Sequence, residues 1–168
     1  MKRWSNIRYK LENEYLAESL RGRITYFATT YTKCHDQEGR AAIRLDGNEV
    51  LKSNYFDKMD EHSSFYYHIY NDVDRAKSEC WMRAFFEAEC NGAFDQRNFY
   101  RAFDEFNSQR IDESLKSESL IVRIFAVLDK RCGKRRLLEM LSNTENENPL
   151  FLTFLHIRAE AEKIVFIS

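Results

Sequence analysis

The sequence predicts an α+β fold: an N-terminal helix and a three-stranded antiparallel meander packed with a larger, all-helical C-terminal part. Three observations carry this. "RITYFATTYTK", residues 23–33, is rich in β-branched and aromatic side chains, which suit a pleated, half-buried strand. Asp46-Gly47 lies between two apolar runs, and a type I′ hairpin turn needs the positive φ that this pair adopts readily. From residue 74 onward apolar side chains recur at three-to-four spacing, the period of a helix with one buried face.

In chain order, residues 4–20 read as one helix, because Trp4, Ile7, Leu11, Tyr15 and Leu16 share a face; Ser5 or Asn6 would cap it and Gly22 end it. The strand over 23–33 follows, then the loop "CHDQEG". "RAAIRL" and "EVLKS" are two more strands, joined by Asp46, Gly47 and Asn48. A helical segment falls within 54–73. Residues 74–91 form a clearer helix, with Ala76, Cys80, Trp81, Ala84, Phe85 and Ala88 on one face and Gly92 as its stop. Asp95 caps a helix that buries Phe99, Ala102, Phe103 and Phe106, and Ile111 to Leu115 adds a short turn. "LIVRIFAVLDKRC", after Ser119, is nearly all apolar and is predicted to run through the core to a stop at Gly133. A turn with Leu137, Leu138 and Leu141 comes next, then the polar loop "SNTENEN". Asn148-Pro149 opens the last helix, a cap followed by proline at the first helical position. The whole is read as one domain, 1–168, with helix plus meander over 1–54 and the helical part over 55–168.

Hydrophobic residues make up 43% of the 168, enough to exclude disorder by composition. Five Gly and one Pro argue against long linkers. No apolar run approaches the roughly 20 residues of a membrane span, and "MKRWSNIRYKLENEYL" has no apolar signal region, so the cytoplasm is the expected compartment. Cys34, Cys80, Cys90 and Cys132 are widely spaced with no CxxC pair, which fits reduced structural cysteines rather than a zinc site. Charge is uneven. Residues 1–54 carry ten basic and seven acidic side chains, net +3; 55–118 carry eight and fourteen, net −6; 119–168 carry eight and six, net +2. The acidic middle also holds fourteen of the 24 aromatics, whereas a nucleic-acid binder usually shows an overall basic excess.

Four constellations bear on chemistry. "CHDQEGR" places His35 and Asp36 beside Cys34, but His62, His68 and His156 stand at no ligand spacing to complete a metal set. Asp46, Glu49 and Lys52 faintly resemble a nuclease carboxylate–lysine set; Glu49 and Lys52 are three apart, and a regular strand turns them to opposite faces. Cys132 lies among Lys130, Arg131, Lys134 and Arg135, cations that depress a thiol's pKa, although no His is nearby in sequence. No phosphate-cradling glycine loop and no GxSxG is present, and no cofactor is expected. The densest cluster is "LDKRCGKRR", residues 128–136. Gly133 reads as a left-handed helix end, with Lys130 and Arg131 complementing the helix dipole. That leaves Lys134, Arg135 and Arg136 to be held by the acidic middle or by Asp129, or to be free for phosphate.

Three segments carry a family resemblance. Gly39, Arg40, Asp46, Gly47 and Glu49 fit a GR…DGxE hairpin. Leu128, Asp129, Arg131, Gly133, Lys134, Arg135 and Leu137 fit an LDxRxGKRxL stretch. Arg158, Glu160, Ala161 and Glu162 partly fit a closing LRxEAEG, with Ile157 for the Leu and Lys163 for the Gly. On these residues the chain resembles a family of small bacterial hypothetical proteins along nearly its whole length. The resemblance implies a bacterial cytosolic protein and transfers no catalytic residue. One internal echo also exists: "SLIVRIFAVLDKR" and "NPLFLTFLHIR" align at an offset of 29, although helical-repeat arrays need a third unit.

The preferred reading is a non-catalytic protein–protein interaction factor, immunity or antitoxin-like. Its acidic, aromatic surface, with Tyr55, Tyr66, Tyr67 and Tyr70, would meet a basic protein partner. The alternative is a nucleic-acid-associated protein that contacts phosphate through Lys130, Arg131, Lys134, Arg135 and Arg136, with Arg40 and Arg44 on the sheet. A metal-dependent hydrolase or nuclease ranks third, and a membrane partner is not expected.

Overall fold

A computed structural model describes residues 4–30, 39–52, 71–90 and 96–164. The expected α+β order is present. Helix α1 (Trp4–Tyr9) runs into a π-helical turn (Lys10–Tyr15) and, after Leu16 and Ala17, a 3₁₀ turn (Glu18–Leu20). The expected single helix over 4–20 is therefore broken. Leu16 and Ala17 are extended because they pair with a distant segment: Ala17 N–H donates to the Leu128 carbonyl at 3.0 Å, and Lys130 N–H donates to Tyr15 at 2.8 Å. The π turn aims Glu12 at the sheet, where its carboxylate accepts from Tyr26 N–H at 2.9 Å.

Strands β1 (Ile24–Thr30), β2 (Gly39–Leu45) and β3 (Asn48–Lys52) form an antiparallel sheet in the order β1-β2-β3. Asp46 and Gly47 sit at φ 50° and 85°, as a type I′ turn requires. Ile24, Tyr26, Ala28, Ala41, Ile43 and Leu51 form the buried face. On the other face Phe27 lies beneath Arg44 and Arg40, at 4.6 and 5.7 Å from the guanidinium carbons. The register slips by one residue between Ile43 and Arg44, so Arg44 pairs with Glu49 and Ala42 with Lys52. This bulge corrects the expectation that Glu49 and Lys52 diverge, since Ala42 and Arg44 share a face of β2 and so do their partners.

The rest is helical: α2 (Lys77–Cys90), α3 (Gln96–Ser108), α4 (Ile111–Ser114), α5 (Leu120–Leu128), α6 (Lys134–Leu141) and α7 (Pro149–Ala161). Both echo helices open on side-chain caps, Ser119 accepting from Val122 N–H and Asn148 from Leu150 N–H. They pack against each other, and no third such unit occurs among the described residues. Helix α5 is the centre of the molecule, with every residue but Arg123 buried. Phe125 meets Phe99 edge to face at 5.0 Å, with Phe106 at 5.7 Å and Tyr26 at 5.8 Å, so one ring joins α3, α5 and the sheet. Helix α5 stops at Leu128, earlier than expected. Gly133 has φ −76° and is the N-cap of α6, not a left-handed stop.

Candidate functional site

The basic stretch resolves into paired and unpaired halves. Asp129, 1% exposed, accepts from Arg131 N–H at 2.7 Å and takes its guanidinium through two further bonds at 2.9 and 2.7 Å. The guanidinium lies over Tyr15 at 5.0 Å and Phe106 at 5.3 Å, which fastens the loop to the N-terminal segment and α3. Arg131, expected in a last helical turn, is instead in a loop, and it takes Asp129 rather than leaving that acid to Lys134, Arg135 or Arg136. Arg136 grips Asp112 through two bonds at 2.7 and 2.9 Å, and the Arg136 hydrogen bonds hold the Asp112 carboxyl below the usual range. For Arg136 the acidic middle is thus the partner. Lys130, Lys134 and Arg135 are exposed and join no described ion pair. Lys134 and Arg135 occupy the first turn of α6, where Gly133 offers no side-chain cap and no acid balances the dipole.

The third motif closes on the second. Arg158, 3% exposed, donates to the Cys132 carbonyl at 3.3 Å, to Ser19 Oγ at 2.8 Å and to Glu162; Ser19 donates to Glu162 at 2.7 Å. Burial pushes the Glu162 carboxyl up, but the Ser19 and Arg158 hydrogen bonds outweigh it and hold the group below the usual range.

A separate feature lies between α2 and α3. Cys80 and Ala84 bury one face of α2. Met82 and Phe86, one turn apart, are 66% and 38% exposed, and they line a groove of about 490 Å³ with Asn98, Arg101, Glu105 and Glu113. Glu89 shares that stripe at the next turn but is only 8% exposed. It accepts from the Ser119 hydroxyl and from Ile121 N–H at 3.3 Å, at the start of α5. Burial holds the Glu89 carboxyl above the usual glutamate range, against the lowering pull of those two bonds. The sequence reading missed this groove by following only the Cys80 face. The available signal was Met82 and Phe86 at i and i+4, off that face.

The SF0329 protein family matches residues 3–159. The chain belongs to that family. No curated protein and no solved structure matches it. The SF0329 match spans nearly the whole chain, as the resemblance led us to expect. In this SF0329 chain most motif residues have structural duties. Asp46 binds Arg23 through bonds of 3.1 and 2.8 Å, and Glu49 takes Arg40 and Arg44. The two sheet arginines that the nucleic-acid reading would enlist are therefore already engaged. A Cβ on Gly39 would overlap the Thr29 carbonyl and the Gln96 side chain. By contrast, Gly133 has room for a side chain and an ordinary φ. The reactive-thiol reading of Cys132 is overturned: burial pushes the thiol up to about 11, against the lowering pull of Arg158 and Arg136.

Several candidates lie outside the described residues: Cys34, His35, Asp36, Tyr55, Tyr66, Tyr67, Tyr70, Gly92 and Asp95, with the side chains of Trp81, Phe85 and Ala88. Among the described residues no three His, Cys, Asp or Glu side chains gather as a metal site, and no helix is long and apolar enough to cross a membrane.

Proposed function

We propose that the chain is a non-catalytic protein–protein interaction factor of the cytoplasm, immunity or antitoxin-like, which takes a basic partner on its acidic, aromatic middle. The observation that supports this most is the α2–α3 groove, where Met82 and Phe86 stand in solvent beside carboxylates that join no described ion pair. Exposed apolar side chains rimmed by polar ones mark interaction surfaces. The groove lies within residues 55–118, the segment with net charge −6 (eight basic, fourteen acidic), and carboxylates there would steer a cationic partner into place. Tyr55, Tyr66, Tyr67 and Tyr70 are the further contacts this reading names. The test is affinity capture of the tagged protein from its native cell after cross-linking. A reproducible protein partner is expected, and repeated recovery of none would sink the reading.

A second reading has its own observation. Lys134 and Arg135 begin an uncapped helix whose dipole already repels them, and Lys130 is exposed nearby. An anion would relieve that repulsion, which favours phosphate contact and hence nucleic acid. Salt-dependent binding of DNA or RNA tests it, and no binding at ~50 mM salt would remove it.

A further inference from the structure

The α2–α3 groove suits side chains rather than an added strand. Its long walls are helices, whose backbone groups bond within their own ladders and present no open sheet edge. A partner must therefore enter with a patterned surface of its own, as in helix-in-groove recognition.

The charge of the groove is one-sided. Glu89, Glu105, Glu113 and Glu118 line it against Arg101 and Lys116, four acids to two bases. Elsewhere on the described surface carboxylates find arginines, as Asp46, Asp112, Glu49, Glu147 and Glu162 do. No described ion pair includes any of the six groove charges. The acids take neutral donors instead. Glu105 accepts from the Ser117 hydroxyl and from the Gln109 amide at 3.3 Å, Glu113 from Arg110 N–H at 2.8 Å, and Glu89 from Ser119 and Ile121. Met82 and Phe86 supply the apolar half, spaced one helical turn apart as the stripe of a facing helix would be.

We propose that this groove docks a basic amphipathic helix of a protein partner. Its apolar stripe lies on Met82 and Phe86, and its lysine or arginine side chains reach Glu105, Glu113 and Glu118. This rests on the interaction reading above and names the partner's chemistry.

The probe is a labelled peptide of about 18 residues, roughly five helical turns, with leucine on one face and lysine on the other. Its control carries glutamate for lysine. Both are titrated into the full chain at ~50 mM salt, where surface charge is little screened. The lysine peptide should bind saturably and at least about tenfold more tightly than the control. Met82→Glu, and separately Glu105→Lys with Glu113→Lys, should each weaken it at least about tenfold. Glu145→Lys, at an exposed acid that lines no part of the groove, should leave it unchanged. Met82 and Glu113 are exposed and Glu105 is half-buried, and circular dichroism confirms that the variants fold. Absence of saturable binding, or equal binding by wild type and both groove variants, overturns the proposal. So does a dimer that Met82→Glu dissociates, which would put a second copy in the groove. A native partner captured equally by wild type and Met82→Glu would leave the interaction reading intact and overturn this docking mode alone.

Discussion

Gly39 has no room for a single added carbon. The Thr29 carbonyl and the Gln96 side chain lie where a Cβ would go, and the carbonyl belongs to the backbone of the neighbouring strand. Gly39→Ala should therefore part β1 from β2 and cost about 2 kcal/mol by overpacking. The checking measurement is the urea midpoint, which should fall without a change in slope. Cys132 makes the opposite point about reactivity. Its thiol is buried and titrates near 11, so in the folded protein alkylation should be negligible at pH 8 and appear only on unfolding. Mass spectrometry after brief iodoacetamide treatment reads this directly. At this scale the sequence was legible where partners are close by, as at Asp46-Gly47. It was opaque at Gly133, because glycine serves a helix end and a helix start alike, and only the Asp129 hydrogen bonds decide between them.

Among the elements, α1 with its trailing turns and α2 depart most from their sequence patterns. Apolar spacing promised one helix to residue 20. The break at Leu16 depends on backbone groups of Leu128 and Lys130, more than a hundred residues away, and no local pattern reports them. Helix α2 carries two faces, and the pin that ties the second to the core is Glu89 on Ser119 and Ile121. Its folded pKa is raised by burial, so the native state holds this proton at pH values where the unfolded chain has released it. Stability therefore falls as pH rises through the interval from the usual glutamate range up to the folded value, and the penalty is complete above it. Glu89→Gln removes that titration. The variant should gain on wild type as pH is raised from about 4 to about 8, and parallel urea unfolding at each pH would show it. A constant difference across that range would disprove the burial argument.

For the molecule as a whole, the α+β class and the central place of residues 120–128 were readable because hydrophobic patterning is a property of each segment alone. The acidic middle was readable as composition, whereas its groove was not, since a groove is made by two helices and belongs to neither. The Arg158 cluster is likewise a product of assembly. It joins α7 to the 3₁₀ turn through Ser19 and to the α5–α6 loop through the Cys132 carbonyl. Arg158→Met should leave Glu162 and that carbonyl without their cation and cost about 3 kcal/mol, read as a lowered thermal midpoint.

The same cluster bears on the order in which the chain is completed during synthesis. Ser19 emerges from the ribosome early, yet its guanidinium partner stands 139 positions later and its carboxylate partner 143 positions later. Translation adds about 5–20 residues per second, so the wait is on the order of ten seconds. For that interval the turn that carries Leu20, and the Leu16 and Ala17 before it, lack the α7 side chains that fasten it. The 3₁₀ turn is fastened only once α7 has been made, and a chaperone that shelters these three side chains would act in that window.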